Sequence, residues 1–455
     1  MLSLEMAENY RLARKVRIYH GSSNSTRVLS FKKNEIIDIS NFDQVLNVNK
    51  TRRYAIVEPN VPMDRLVDET LKYGLIPPVV MEFPGITVGG GIQGGAGESS
   101  SFKWGLFDES FSEYEIVLGN GKTLNVSKSK NSDLFHGIAS SYGSIGITTC
   151  AKLKLIPAKK YVRLTYIRTT SFKKVLNVIK NNTKKNVDFV DGILFSKNLG
   201  VVMVGTMDDK EESPVSTFSK ATDDWFYVHA EEIAKKYKIW NETIPIREYL
   251  FRYDRGAFWT GKFILKTYKV PFNRITRFLL NPIFKTHRMY RLLQALKSPQ
   301  NSIIQDLILP NKSAQKFLDF CHKKIKIYPI WLCPLKRTGE RFLSPTFVNE
   351  DSLDIGVWQR QSESVETLLS LNHVIEKKLK ALGGRKVMYA HSYYSKKDFW
   401  EIYDFKKYDY LRRKFFARQT LPDVWEKVTV KGKYKMSYLG GLISIIRSPS
   451  KYPLR

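Results

Sequence analysis

The chain has 455 residues, enough for about two or three domains at roughly 100–200 residues per domain. A hydrophobic fraction of 43% and an aromatic fraction of 13% exclude a mainly disordered protein. Three cysteines without a Cys-x-x-Cys pair exclude a disulfide scaffold and disfavour a cysteine-built metal site, so we expect a reduced, intracellular protein. The formal net charge of +30 indicates an anionic partner, with nucleic acid, a membrane surface and a phosphate-bearing ligand as the candidates.

Residues 1–157 are predicted to form a first domain of alternating short strands and helices. A helix over 62–73 is indicated by apolar residues on one face and ends at Gly74. Asn120-Gly121 tolerates the positive φ of a tight turn and predicts a hairpin. The predicted strands of this domain cover residues 16–19, 35–39, 54–57, 113–118, 122–126 and 147–156.

A second domain is predicted for residues 158–388, where glycine becomes rarer and aromatic residues become more frequent. An amphipathic helix over 366–382 ends at Gly383-Gly384. The other predicted elements of this domain are a helix over 171–181 and strands over 189–195, 201–204 and 325–333. The remaining residues, 389–455, are aromatic and basic, and we expect this segment to return toward the first domain.

Six glycines lie within nine residues, between positions 89 and 97. Glycine carries an entropic cost in a folded chain, so this density indicates a structural need such as close approach of the backbone to an anion. Successive N–H groups without a Cβ can surround a pyrophosphate, and we interpret the segment as a glycine loop of this kind. The Gly-x-Gly-x-x-Gly pattern is also present, but we reject a Rossmann site because the residues after Gly94 are poor helix formers.

Two further polar turns complete a candidate site for a long dinucleotide. One follows the first strand at residues 19–26, and the other is the glycine turn at 142–147 that leads into a strand. Each turn offers backbone amides or hydroxyl groups to phosphate. The candidate cofactor-binding residues are Gly21, Ser22, Ser23, Asn24, Ser25, Thr87, Val88, Gly89, Gly90, Gly91, Gln93, Gly94, Gly95, Ala96, Gly97, Glu98, Ser99, Gly143, Ser144, Gly146 and Ile147.

These three loops resemble those of the vanillyl-alcohol-oxidase, or PCMH, type of FAD-binding fold. A narrower likeness, to the delta-24-sterol reductase (Diminuto/seladin-like) family, rests on further segments and covers roughly residues 10–427. Those segments are Gly-Ile-Thr-Val-Gly-Gly-Gly at 85–91, Gly-Glu-Ser-Ser-Ser-Phe-Lys-Trp-Gly-Leu-Phe at 97–107, Asn-Ser-Asp-Leu-Phe at 131–135 and Tyr-Pro-Ile-Trp-Leu-Cys-Pro at 328–334. The resemblance implies an α+β fold, with a two-subdomain PCMH-type FAD-binding domain and an α+β substrate or cap domain.

The resemblance also implies a reaction, the reduction by NADPH of a side-chain carbon–carbon double bond in a sterol or similar isoprenoid. NADPH would reduce the flavin, the flavin would deliver hydride to the alkene, and an acid of the protein would supply the proton. The second glycine loop contains neither His nor Cys, so we expect non-covalent FAD and a packing role for His20. The candidate catalytic residues are Tyr393, His391 and Asp354.

The lipid-like substrate implied by the resemblance needs an apolar cleft with few polar groups. Candidate walls of that cleft are Phe258, Trp259, Tyr328, Trp331 and Trp358. The basic clusters 406–407, 412–414 and 431–435 are candidates for peripheral contact with an anionic membrane. No transmembrane segment or signal peptide is readable, so we expect a cytoplasmic protein or one on the cytosolic face of the endoplasmic reticulum.

Two other functions stay open from the sequence. A flavin oxidase or dehydrogenase that oxidises an alcohol or a sugar-like substrate would use the same FAD loops. A basic nucleic-acid- or membrane-binding protein without catalysis would also account for the charge. No RRM, KH, zinc-finger or helix-turn-helix pattern is visible, however, and we expect no nucleic-acid partner.

Overall fold

The computed structural model describes residues 1–21, 25–27, 31–296, 302–339, 342–360 and 364–429. The candidate residues Ser22, Ser23 and Asn24 and the basic cluster 431–435 lie outside these ranges. None of the helices within them combines the length and the apolar character that a bilayer span requires.

The described chain has a mixed helix and sheet fold, as the predicted α+β class requires. Its helices are α1 (Leu2–Arg11), α2 (Met63–Leu71), α3 (Val88–Gly94), α4 (Ser101–Trp104), α5 (Ser132–Ile138), α6 (Phe172–Asn182), α7 (Phe226–Lys236), α8 (Ile246–Leu250), α9 (Thr260–Thr267), α10 (Arg274–Leu279), α11 (Thr286–Leu296), α12 (Asn311–Phe320), α13 (Val365–Ala381), α14 (Lys396–Ile402), α15 (Phe405–Lys414), α16 (Ala417–Thr420) and α17 (Val424–Val428). Its strands are β1 (Arg17–Tyr19), β2 (Ile36–Asp38), β3 (Val45–Asn49), β4 (Tyr54–Val57), β5 (Leu75–Ile76), β6 (Phe111–Val117), β7 (Thr123–Ser127), β8 (Ile147–Lys154), β9 (Ile156–Pro157), β10 (Tyr161–Thr169), β11 (Phe189–Ser196), β12 (Leu199–Asp208), β13 (Ile239–Pro245), β14 (Ser302–Pro310), β15 (Ile330–Leu335), β16 (Ser352–Arg360) and β17 (Arg385–Lys386).

An antiparallel five-stranded sheet, in the order β3-β4-β8-β6-β7, is built from the first third of the chain. The predicted hairpin is confirmed, because Glu113 pairs with Ser127 and Val117 with Thr123. Gly121 in its turn adopts a φ of +83°, a conformation that glycine reaches without steric cost. The strands β1 and β2 form a separate parallel pair ahead of this sheet.

A second, eight-stranded antiparallel sheet has the order β13-β10-β12-β11-β15-β16-β14-β17. Side chains on a strand alternate between the two faces of a sheet, and here each face meets a different apolar cluster. Val190, Leu332 and Ile355 belong to the cluster formed with helices α6, α12 and α13. Ile193 and Trp331 belong to the cluster on the opposite face. This second face carries the site described below.

The glycine segment differs from its prediction as a loop, because residues 88–94 form helix α3. The hydroxyl Oγ1 of Thr87 caps the helix by accepting the N–H of Gly90 at 3.2 Å. Val88 and Ile92 are fully buried and anchor the helix to the core, and Gly95 ends it with a left-handed φ of +65°. No helix starts at Gly94, which agrees with the rejection of a Rossmann site.

The strand predicted over residues 325–333 is correct only in its second half. A π-helical turn over Cys321–Ile325 extends α12, and Lys326 follows it in a left-handed conformation. The strand therefore begins at Ile330. The predicted helix over 366–382 is confirmed as α13.

Residues 389–429 pack against the part of the chain that holds the five-stranded sheet. The N–H of Gly119 donates to the carbonyl oxygen of Phe415 at 3.3 Å. The Arg412 guanidinium donates to the carbonyl oxygens of Ser144, Leu421 and Pro422 at 2.8 to 2.9 Å. Arg412 is only 4% exposed, so this member of a predicted membrane-contact cluster is unable to reach a lipid surface.

Candidate active site

One cleft lies between helix α3 and the second face of the eight-stranded sheet. All three predicted loops contribute to its lining, through Ser25, Gly94 and Gly143 for example. Strands β14, β15 and β16 line it with Asp306, Trp331 and Asp354. The fold therefore brings the candidate cofactor loops and the candidate substrate residues to one place.

A glycine wall, formed by Gly89, Gly90, Gly94 and Gly97, lines one side of the cleft. The N–H groups of Gly89 and Gly90 already donate to the Pro59 carbonyl and the Thr87 hydroxyl. These amides are therefore not bare, contrary to the sequence interpretation. The wall instead offers a surface without side chains, and a Cβ added at Gly94 would meet no atom within 4 Å.

A half-buried cation cluster, formed by Arg17, Arg27 and Lys427, lines the cleft near the 142–147 turn. The Lys427 ammonium donates to the carbonyl oxygens of Tyr142 and Gly143. The Arg27 guanidinium donates to the carbonyl oxygen of Lys427 at 2.9 Å and lies over the Tyr142 ring.

The electrostatic environment of Lys427 favours a bound anion. Burial, and then the charges of Arg17, Arg27 and Arg412, lower the pKa of Lys427 well below its usual value. In the described part of the chain, the charges that shift this pKa are all positive. An anion of the size of a pyrophosphate would offset them, and a flavin nucleotide carries such a group. Sequence reasoning missed this cluster, because its members are far apart in a chain with 74 Lys and Arg residues.

A carboxyl cluster, formed by Glu82, Asp306 and Asp354, lines the cleft at the sheet. Asp354 pairs across the sheet with Ile308, two residues from Asp306 on the same face. Burial, and then the charge of Glu82, raise the pKa of Asp354 to about 7. Burial also raises the pKa values of Glu82 and Asp306 well above their usual range, and the neighbouring carboxyl groups Glu98 and Asp354, respectively, raise them further.

Aromatic rings surround the carboxyl cluster. The ring of Phe258 lies 4.4 Å from that of Trp358 and 5.5 Å from that of Trp331, measured between centroids. Trp259 lies behind them and donates its indole N–H to the Trp358 carbonyl at 2.7 Å. Tyr328 lies elsewhere, with its hydroxyl 3.2 Å from Nδ1 of His322. The cleft thus combines apolar walls with a few acids, the composition expected for a small-molecule site.

Eleven of the candidate cofactor-binding and catalytic residues line this cleft, in addition to the predicted wall residues Phe258, Trp331 and Trp358. The eleven are Ser25, Thr87, Gly89, Gly90, Gln93, Gly94, Ala96, Gly97, Gly143, Ile147 and Asp354. The described candidates that do not line it are Gly21, Val88, Gly91, Gly95, Glu98, Ser99, Ser144, Gly146, His391 and Tyr393. His20, expected as a packing residue, does line the cleft, and burial lowers its pKa to about 4.

His391 and Tyr393 are held behind the cleft by a buried ion pair between Lys386 and Glu376, 2.7 Å apart. Lys386 donates to the carbonyl oxygen of His391, and Glu376 accepts the backbone N–H of Tyr393. Burial lowers the pKa of His391 to about 3 and raises the pKa of Tyr393. Both side chains are therefore weak proton donors. Tyr389, from the same segment, lines the cleft instead.

Glu98 joins a second buried network that holds a cleft wall in place. Its carboxylate lies 3.8 Å from Arg252, whose guanidinium also pairs with Asp191 at 3.1 Å. Asp191 accepts hydrogen bonds from the Tyr253 hydroxyl and from the indole N–H of Trp331. The network thereby fixes the orientation of Trp331.

Comparison with known proteins agrees with this geometry. The FAD binding domain family matches residues 4–127 of the chain. Delta(24)-sterol reductase of Homo sapiens is 31% identical over 415 residues, which cover 89% of this chain and 80% of the relative. Delta(24)-sterol reductase of Arabidopsis thaliana is 31% identical over 437 residues, which cover 86% of this chain and 76% of the relative.

The chain belongs to the Delta(24)-sterol reductase family. The resemblance drawn from the sequence motifs is thereby confirmed. Cytokinin dehydrogenase 9 of Oryza sativa subsp. japonica is 32% identical, but only over 140 residues, or 30% of this chain. Among these relatives, the Delta(24)-sterol reductases are thus matched over most of both chains, and the cytokinin dehydrogenase over a minor part.

The cleft of this Delta(24)-sterol reductase family member fits FAD. The glycine wall leaves room for close approach of a ligand at Gly94, and the cation cluster favours an anion beside Lys427. A ligand with an apolar ring system and a pyrophosphate meets both conditions, because the same cleft carries aromatic walls.

We predict that Gly94→Val weakens FAD binding at least about tenfold, or ~1.4 kcal/mol, because the new side chain enters the cleft without meeting any protein atom. The dissociation constant is measured by flavin fluorescence and the melting temperature by circular dichroism. Gly339→Val is the matched control, since a Cβ there also meets nothing and Gly339 does not line the cleft. Unchanged FAD affinity in Gly94→Val would contradict the placement of the cofactor.

Proposed function

We propose that this protein is an FAD-dependent oxidoreductase that reduces a side-chain carbon–carbon double bond of a sterol or a similar isoprenoid, with NADPH as reductant. The proposal rests on one cleft that joins a cation cluster beside a glycine wall to carboxyl groups of raised pKa among aromatic rings. FAD, when bound, supplies the hydride for such a reduction. The relatives named Delta(24)-sterol reductase support a sterol as the substrate class.

We assign non-covalent binding of FAD to the residues at the glycine end of the cleft. Arg27 and Lys427 would offset the pyrophosphate charge, and Gly94 and Gly97 would let the nucleotide lie against the backbone. The aromatic rings of Phe258, Trp331 and Trp358 would enclose the apolar part of the ligands and exclude water.

Asp354 is the proposed proton donor. It is only 6% exposed, and among the described residues its Oδ1 has no hydrogen-bond partner. With a pKa of about 7, this carboxyl group can both hold a proton at neutral pH and release it. A proton added to the less substituted alkene carbon leaves positive charge at the tertiary carbon, which then accepts hydride.

We further propose that the chain consists of three parts with different functions. Residues 1–157 would form the PCMH-type FAD-binding domain, 158–388 the substrate-binding cap domain, and 389–455 a segment that returns toward the FAD domain. The five-stranded sheet, with strands from the first range, and the eight-stranded sheet, with strands from the second, support these boundaries. The contacts of Gly119 and Ser144 with residues 412 and 415 support the third assignment.

A peripheral position on the cytosolic face of the endoplasmic reticulum is part of the proposal, because the substrate class partitions into membranes. The predicted basic clusters within the described residues give this membrane position little support. Arg413 pairs with Asp409, Lys414 pairs with Asp133, and Arg412 is buried. Lys406 and Lys407 remain exposed.

The function is tested by anaerobic flavin spectroscopy on the purified protein. We expect NADPH to bleach the flavin absorbance and a sterol with a side-chain double bond to restore it. The same sterol with a saturated side chain is the control and should leave the flavin bleached. Bleaching by an alcohol substrate but not by NADPH would favour the oxidase or dehydrogenase, whereas a colourless protein that takes up no FAD would exclude both enzymes.

We predict that Asp354→Asn slows sterol-dependent flavin reoxidation by about 10²–10⁴-fold and leaves flavin reduction by NADPH unchanged, since Asn carries no acidic proton. In the unmodified protein, reoxidation should slow as the pH rises through about 7, because an acid with a raised pKa donates only while protonated. Both steps are measured by stopped-flow absorbance.

The control for this experiment is Asp209→Asn, which removes an exposed carboxylate paired with Lys159 and should change neither step. A large loss in Tyr393→Phe together with full activity in Asp354→Asn would place the proton donor at Tyr393 and contradict the assignment.

A further inference from the structure

Helix α10 has an inverted distribution of polar and apolar side chains. Ile275, Phe278 and Leu279 are 70%, 51% and 67% exposed, whereas Arg277 on the same helix is 6% exposed. The three apolar residues are spaced i, i+3 and i+4, so they share one face of the helix. A face of this kind on a soluble protein indicates a surface that another apolar phase covers.

Basic residues predominate in the helices around this face. The sequence contains no Asp or Glu between Asp254 and Asp306, a stretch that includes α9, α10 and α11. Lys262, Lys266 and Lys269 are exposed on α9 and the turn after it. Exposed positions that extend this basic surface further along the chain are Arg274, Lys285 and Arg288.

Two carboxylates, Asp223 and Asp224, border this face, and both have partners within the protein, Asp223 accepting the hydroxyl of Thr217 at 2.9 Å. Asp224 pairs with the buried Arg277 at 2.6 Å and with Arg274 at 3.2 Å. It therefore neutralises Arg277, which holds the helix on the protein, and leaves the lysines of α9 to set the outward charge. The combination of an apolar triplet with a basic surround matches the requirements for lying on an anionic bilayer.

The helices that flank α10 in the chain also line the cleft. Thr260 begins α9, Met289 and Tyr290 belong to α11, and all three are cleft residues. Tyr268, at the end of α9, is a further large side chain, 50% exposed. The segment that carries the exposed apolar face is thus the segment that forms part of the cleft wall.

We propose that the α9–α10 surface, defined by Ile275, Phe278, Leu279 and the lysines 262, 266 and 269, docks on an anionic phospholipid bilayer. The apolar triplet enters the headgroup region, and the lysines contact anionic lipid. This surface is distinct from the basic clusters 406–407, 412–414 and 431–435, which the sequence analysis proposed for membrane contact. Binding to vesicles requires no redox chemistry and is independent of the proposed function. Passage of a sterol from the bilayer to the cleft along α9 and α11, in contrast, rests on the proposed function.

The experiment is vesicle co-sedimentation of the full chain, with phosphatidylcholine vesicles alone or with about 30% phosphatidylserine. We expect binding to the anionic vesicles that falls in about 0.5 M salt, since screening weakens the lysine contacts. The triple substitution Ile275→Asp, Phe278→Asp and Leu279→Asp should lower the partition coefficient at least about tenfold. Leu46→Asp, at a residue 54% exposed on β3, is the control and should bind like the unmodified protein.

The charge contribution is tested with two matched double variants. Lys266→Gln with Lys269→Gln should weaken binding about thirtyfold, because each lysine removed costs about 1 kcal/mol and ~1.4 kcal/mol corresponds to tenfold. Lys406→Gln with Lys407→Gln, which removes an exposed pair on α15, should leave binding unchanged. These variants retain the apolar triplet, so they keep the proposal testable if the triple variant fails to fold.

Three results would overturn the proposal. The first is no binding of the unmodified protein to anionic vesicles, and the second is a triple variant that keeps its helicity and binds as well as the unmodified protein. The third is loss of binding only in the Lys406→Gln, Lys407→Gln double variant. A dimer that dissociates in the triple variant would show instead that a second copy covers the face. Flavin absorbance is recorded on the same samples. A colourless protein that binds vesicles would defeat the proposed function and leave this surface intact.

Discussion

The site depends on positive charge that the fold gathers at one end of the cleft. Lys427 is surrounded by Arg17, Arg27 and Arg412 and is held in place by two carbonyl oxygens. Burying a cation among cations is unfavourable unless an anion completes the arrangement. In the binding mode proposed above, the pyrophosphate of FAD would supply that anion, and the glycine wall would supply the room for it. Cofactor binding and the stability of this corner of the fold are therefore coupled.

The eight-stranded sheet explains why the other half of the site can be acidic and still fold. Its strands place aliphatic residues on the face covered by α6, α12 and α13, where a dry core forms. The alternate positions carry Asp306, Trp331 and Asp354 toward the cleft. Because these carboxyl groups are buried, their pKa values are raised, and the cost of holding them as charges in the sheet is reduced. One strand periodicity thus builds the apolar core of the domain and places the proposed proton donor in the cleft.

Elements with strong local signals were predictable from sequence. The Asn-Gly hairpin and helix α13 need little information beyond their own residues. The helix within the glycine segment was missed, because its stability comes from the Thr87 cap and the burial of Val88 and Ile92 rather than from helix propensity. Local propensity was overridden by packing in this case.

The site was predictable to the extent that its residues are close in sequence. Gly94 and Gly97 stand out in the glycine segment and line the cleft. Arg27 and Lys427 are 400 residues apart, and only the fold shows that they meet. His391 and Tyr393 were predicted from a polar aromatic motif. The motif does not show that the buried Lys386 donates to the carbonyl oxygen of His391 and so fixes the backbone there.

The central claim is that the cation cluster binds the pyrophosphate of FAD. The difference in affinity between FAD and riboflavin tests this claim most directly, because riboflavin lacks phosphate. Both dissociation constants are measured for the unmodified protein and for Lys427→Met. The account predicts that FAD binds far more tightly than riboflavin to the unmodified protein, and that the substitution narrows this gap at least about tenfold while riboflavin affinity stays the same. An unchanged gap would contradict the account.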